Sequence, residues 1–258
     1  VPDSLSEVDY DYDQIKKFLV SNPFLTPPYE LLSFGRREDN NHLRFSRAKN
    51  LQGASVYKID DGVFVIGPEW VPLSLLQQDN YSFYQVLLAT SELCAGFSRS
   101  YRYRRKLDGN FGNSAEQLDL ERCWPLTNRK EQARICGKIV NRRIIPRYKR
   151  ICRLLAENAY SPAEIALALN LSLPKGYGGC AFPRPLMNSG VELKMKYGTK
   201  VLKPDLLWPK QKVIVEYDGL DFHSVERREK LDKDRRELFK KNGFRVFNMD
   251  KRRFFDQA

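Results

Sequence analysis

Three consecutive β-branched residues, Val213, Ile214 and Val215, run directly into Glu216, Tyr217 and Asp218. A run of this kind offers water no polar side, so it reads as a strand covered on both faces, with room for acids only at its tip. Such a strand needs neighbours, and the surrounding pattern supplies them. Strand patterns precede it at VELKMKY and KVLKPDLLW; a long helical pattern, VERREKLDKDRRELFKKN, follows it, and Gly243 separates that helix from a last strand, FRVFNM. In the turn WPKQKV, Lys210 and Gln211 form a two-residue tip. Counting outward from that tip, Trp208 faces Val213, Leu207 faces Ile214, Leu206 faces Val215 and Asp205 faces Glu216.

Directly opposed residues project from the same side of a sheet, with Cβ atoms roughly 5 Å apart. Two carboxylates so placed repel unless they share a proton or a cation. A divalent cation held by hard oxygen ligands resolves the conflict, so Asp205 and Glu216 form a candidate metal site. Asp218 extends it, because side chains two apart on a strand share a face. The competing reading is a solvated strand end.

The rest of the chain sets the context. Forty-four Lys and Arg against 32 Asp and Glu give a formal net charge of +12, and 15 Phe and 13 Tyr accompany them. A basic, aromatic-rich surface takes polyanions as its default partner, DNA among them. The run FSRSYRYRRK concentrates this character: Arg102, Arg104 and Arg105 can grip a phosphate backbone, with Tyr101 and Tyr103 as stacking surfaces, although such a run is more often simply a solvated face. SVYKIDDGVFVIGPEW reads as a hairpin turning at Asp60, Asp61 and Gly62, Leu73 to Cys94 has helical spacing, and NRRIIPRYKRICRLL reads as an amphipathic helix starting or kinked at Pro146. SPAEIALALNLSLP reads as a helix with Ser161 as N-cap, Pro162 at its first position and Glu164 closing a capping box. A composition shift near 140–150 places a domain boundary, giving a basic α+β domain at 1–145 and a second at 146–258. The expected class is α/β in the broad sense, more closely α+β. Five widely spaced cysteines without a CxxC pair, no apolar run of membrane-spanning length, and an N-terminus without the regions of a secretory signal lead to the expectation of a cytoplasmic protein with reduced thiols.

The helix with Glu164 in SPAE, the strand carrying Pro204 and Asp205, VEYDG, the pair Phe222 and His223, Asp234-Arg235-Arg236 on the long helix and a glycine before the last strand come in an order that resembles the PD-(D/E)XK nuclease superfamily. More closely, they resemble the branch that includes the very short patch repair endonucleases and related uncharacterised bacterial domains. The resemblance covers roughly residues 160–250. It implies a restriction-endonuclease-like mixed sheet flanked by helices, with magnesium (or manganese) at the strand ends. Residue by residue it carries over Glu164, Asp205 and Glu216 as the metal set. Asp218 stands where the superfamily has its lysine, a departure that leaves water activation to the metal, to Asp218 or to His223; Lys203 offers a migrated lysine. Arg235 and Arg236 are its candidates for holding the scissile phosphate.

These observations lead to the expectation of a magnesium-dependent endodeoxyribonuclease of bacterial repair, restriction or defence, acting on DNA as a homodimer or with a partner protein. The alternative is a nuclease fold without turnover that serves as a DNA-binding regulator, antitoxin-like or repressor-like.

Overall fold

In the computed structural model the counted hairpin forms as a pair of antiparallel strands joined at Pro209–Lys212, with Leu206 opposite Val215, Leu207 opposite Ile214 and Trp208 opposite Val213. The structure describes residues 3–4, 11–22, 29–33, 43–47, 51, 53–78, 80–101, 118–218 and 225–250. The molecule is mixed α and β, and its chain divides into two compact units: Val1–Leu93 with Ser98–Leu155, and Cys94–Phe97 with Ala156–Ala258.

The first unit begins with β1 (Asp3–Ser4), α1 (Tyr12–Ser21), β2 (Tyr29–Ser33) and β3 (Leu43–Arg47), followed by the hairpin β4 (Ser55–Asp60) and β5 (Val63–Ile66). Gly62 at φ 65° makes the positive-φ turn of that hairpin. The helical pattern expected over 73–94 divides into α2 (Val71–Leu76) and α3 (Phe83–Leu93). Ser82 restarts it: its hydroxyl accepts from the Gln85 N–H while Gln85 Oε1 accepts from the Ser82 N–H, a capping box between two helices. β6 (Phe97–Tyr101) pairs with β7 (Leu118–Arg122), and α4 (Arg129–Cys136) and α5 (Ile145–Leu154) complete the unit. Pro146 sits in the first turn of α5, which buries Tyr148 and Ile151 and leaves Arg147, Lys149 and Arg150 exposed. The Tyr148 hydroxyl donates to the fully buried Gln132, so that amide oxygen is satisfied inside the core.

The second unit contains α6 (Pro162–Ser172), β8 (Leu186–Met187), β9 (Val191–Lys194), β10 (Thr199–Leu202), β11 (Leu206–Trp208), β12 (Val213–Asp218), α7 (Val225–Lys241) and β13 (Arg245–Asp250). Its main sheet is mixed, in the order β13-β12-β11-β8, with β12 and β13 parallel and the other pairs antiparallel. The long stretch 200–208 is two strands rather than one. Pro204 has no N–H to give a ladder, and the chain leaves β10, which pairs only with β9, before entering β11. Ile214 and Leu207 face α7 and form a core with Phe239 and Leu193, against which Val191, Leu202, Leu238, Phe244 and Val246 also pack. Burying such a cluster supplies roughly 1.5–3 kcal/mol per large side chain. The opposite face of the sheet, with Trp208, Val215, Phe247 and Met249, borders an apolar groove of about 490 Å³ closed at one side by Leu171 and Phe182. Among the described residues no helix is long and apolar enough to cross a membrane.

Candidate functional site

On β12, Ile214, Glu216 and Asp218 share one face of the pleat, so the strand that puts Ile214 into the α7 core sends Glu216 toward the same helix one step further on. Asp205 sits immediately before β11, at the position opposite Glu216. The two carboxylates take over where the backbone ladder stops. Asp205 Oδ2 accepts the Tyr217 N–H at 2.7 Å, and Glu216 Oε2 accepts the Asp205 N–H at 3.3 Å. Each acid is thus fixed by backbone belonging to the other strand.

A cation meets them from α7. Arg235 donates through Nε to Glu216 Oε1 at 3.0 Å and through its terminal nitrogen to the Lys203 carbonyl at 2.6 Å. Its guanidinium stands 5.5 Å from the Phe239 ring centroid, one helical turn away on the buried face. Arg235 thereby ties the end of β10 to the end of β12. Arg236, the next residue, takes no part in this set among the described residues.

Burial sets the electrostatics. Removal from water, then the charge of Glu216, pushes Asp205 up to about 7, against the pull of the Tyr217 N–H and Arg235. Glu216 is also raised, by burial first, with Arg235 holding it down. The Glu216 side chain is only 14% exposed, so a second full negative charge beside it is costly near neutrality. Near neutral pH the Asp205 carboxyl therefore takes up a proton far more readily than an ordinary aspartate.

Glu164 lies near enough to raise Asp205 further, but its own carboxylate is engaged. Oε1 accepts the Ser161 hydroxyl at 3.0 Å, and Oε2 accepts the Tyr160 N–H at 2.9 Å and the Asn188 amide at 2.7 Å. With the Glu164 N–H on the Ser161 hydroxyl, one arm of the expected capping box forms, while the returning arm of the carboxylate goes to the Tyr160 N–H, one residue before the cap. In this arrangement Glu164 is a helix cap whose charge is felt at the site.

Asn188 is a site residue that the sequence reading passed over. At φ 46° in the turn after β8, it donates its N–H to the Asp205 carbonyl at 3.1 Å and its amide to both Glu164 and the Asn158 carbonyl. The signal was present in NSG, since asparagine is among the few residues that visit the left-handed region readily. Asn248 is another: its amide donates to Asp218 Oδ2 at 2.8 Å, from β13. Asp218 itself is exposed and lies in register with Asp250. Lys203 is exposed and contributes its carbonyl, rather than its ammonium, to the Arg235 contact. His223, Arg102, Arg104 and Arg105 lie outside the described residues.

The donor chemistry of Asp205 and Glu216, hard carboxylate oxygens from two neighbouring strands, fits magnesium or manganese better than a softer metal. Among the described residues no group of three or more His, Cys, Asp or Glu is arranged to hold a metal ion, so such an ion would rest on this pair with backbone or water oxygens. Comparison of the chain with protein-family models, with curated proteins and with solved structures finds no match.

Proposed function

We propose that the second unit is a restriction-endonuclease-like domain that hydrolyses phosphodiester bonds in DNA with a divalent cation. The observation that carries this reading is the buried pair Asp205 and Glu216, locked together by reciprocal backbone hydrogen bonds at the end of a strand hairpin, with Asp205 pushed up to about 7. A fold that keeps two acids in contact at a cost, in a chain of net charge +12, has a use for their combined negative charge.

Asp205 and Glu216 would hold magnesium or manganese, which supplies Lewis-acid stabilisation of phosphoryl oxygens when bound. Arg235 favours the charged form of Glu216 against its burial and aims its carboxylate, by ion pair and by its anchorage to the Lys203 carbonyl. Asp218, exposed at the end of the same strand and oriented by the Asn248 amide, is the group to accept the proton of an attacking water. It occupies the position where the nuclease superfamily that the motif order resembles carries lysine. Basic side chains around the site would hold the phosphate backbone.

The test is plasmid nicking in magnesium by the wild-type chain beside Asp205→Ala and Glu216→Ala. Nicking that both substitutions lower by 100-fold or more is the expected result, on the order of an essential metal contact. Equal nicking by all three proteins would overturn the mechanism.

One observation favours a second reading, a DNA-binding regulator without turnover. Arg235 already supplies Glu216 with a cation, and Asn248 already holds Asp218, so the acids are partly satisfied by the chain itself. Salt-sensitive DNA binding together with no magnesium uptake by calorimetry would select this reading over the first.

A further inference from the structure

The hairpin of β9 and β10 belongs to no layer of the main sheet. Its register is Thr199 with Lys194, Lys200 with Leu193, Val201 with Glu192 and Leu202 with Val191, and the turn between them closes through the Met195 N–H to the Gly198 carbonyl at 3.0 Å. Gly198, at φ 80°, provides the positive φ that this turn requires. One face of the ribbon is spoken for: Leu193 is fully buried in the core with Phe239, and Val191 and Leu202 pack beside it. Its β9 edge is held as well. Asn242, just past α7, accepts the Lys194 N–H at 2.7 Å and donates to the Lys194 carbonyl at 3.1 Å. The ribbon is therefore anchored along β9 up to its turn.

The outer face and the tip are not covered. Tyr197 is 84% exposed and Val201 62%. Lys194 on the outer face, Lys196 at the tip and Lys203 just past β10 are exposed, as is Lys200 on the side of Leu193 next to the tip, against the single acid Glu192, and none of the four forms an ion pair among the described residues. The Lys196 ammonium lies 5.4 Å from the Tyr197 ring centroid, so the tip carries a cation on an aromatic surface. The ribbon then leads through Lys203 and Pro204 straight to Asp205. From Tyr197 to Asp205 the chain can span no more than about 28 Å, less than one turn of a DNA duplex.

We propose that the β9–β10 hairpin is a duplex-DNA-binding ribbon that sets the position of the backbone relative to Asp205 and Glu216. This rests on reading the second unit as a domain that acts on DNA. The physical match is specific to that partner. The major groove of B-form DNA, about 12 Å wide, admits a two-stranded ribbon, whereas the deep and narrow major groove of an RNA duplex does not. The exposed lysines at and beside the tip, Lys194, Lys196 and Lys200, would replace condensed counterions at the phosphates. Because Leu193 and Asn242 pre-order the ribbon, little conformational entropy is lost on docking.

The experiment is fluorescence anisotropy of a labelled DNA duplex of two helical turns with the full chain in chelator, titrated over salt. Lys194→Gln, Lys196→Gln and Lys200→Gln are combined in one variant. A second variant combines Lys175→Gln and Lys210→Gln, exposed lysines of the same unit outside the hairpin. The expected result is that the ribbon variant binds on the order of tenfold more weakly at low salt and that its slope of log affinity against log salt is shallower by about 2 to 3, while the second variant stays near wild type. Circular dichroism melting checks that both variants are folded. Equal slopes for the ribbon variant and wild type, equal losses in the two variants, or tighter binding of single-stranded DNA or duplex RNA than of duplex DNA would overturn the proposal. Chelator separates this outcome from catalysis: a ribbon that fails leaves nicking by the wild-type chain in magnesium to be scored, and a chain that does not nick can still show the ribbon's slope. A wild-type chain that binds no duplex would overturn both readings.

Discussion

Asp205 is where the chain carries its clearest electrostatic load. Its folded value near 7 lies above the ordinary carboxylate value of ~3.9, so the folded state binds its proton more tightly than the unfolded state does. Below pH ~4 both states are protonated and the fold bears no penalty; the penalty grows as pH rises and is complete above about 7. Asp205→Asn keeps an oxygen for the Tyr217 N–H without the charge. We expect it to exceed wild type in stability at pH 8 by on the order of 1–3 kcal/mol, and to converge with it near pH 4. Urea unfolding at both pH values measures this, and an Asp205→Asn chain weaker than wild type at pH 8 would contradict it. The Asp205–Glu216 opposition was legible in the sequence because a two-residue turn and three apolar pairs leave only one register that buries both strands. The Arg235 contact was not. Whether a helical arginine reaches a strand end depends on how α7 is rotated and seated on the sheet, which the ridges of its own sequence do not determine without the partner surface.

Among the elements, α6 makes the most direct link between local rules and the site. Its Ser161 cap, its first-turn proline and Glu164 were all visible as a capping box. What lay beyond the local pattern was the third use of Glu164, through Asn188, which joins the start of α6 to the backbone of Asp205. Ser161→Ala should cost about 1 kcal/mol, within the usual 0.5–2 for a lost cap, in thermal or urea unfolding. Glu164→Ala should cost more than Ser161→Ala, because it also strands the Tyr160 N–H and the Asn188 amide. A reversed order would mean that the cap alone, and not the tether, holds α6 in place. The division of residues 200–208 was written in Pro204, yet the alternation on either side of it is strand-like, so periodicity alone runs the two strands together. β2 and β3, a parallel pair, and β6 and β7 were passed over for a related reason: YELLS, LRFSR, FSRSY and LDLER interleave charge and apolar residues too briefly to stand out.

At the scale of the whole molecule, the chain forms two units of mixed α and β structure, and the candidate site is built within one of them. Saturating magnesium should slow amide hydrogen exchange over residues 204–217, whose N–H groups include those bonded to Asp205 and Glu216, and leave α3 and α5 of the first unit unchanged. Mass spectrometry of the exchanged peptides, with reversal by chelator, reads this directly; protection spread evenly over both units would speak against a site confined to the second. The contrast between Asp205 and Glu164 also bears on descent. Glu164 serves the fold through its cap and its tether, so selection for folding alone is enough to keep it. A charged Asp205 weighs on the fold at neutral pH, so folding alone is no reason to keep an aspartate there. Among descendants of this chain, therefore, a glutamate at 164 would say only that the helix still starts in the same place, while loss of the aspartate at 205 would mark lineages with no further use for its charge.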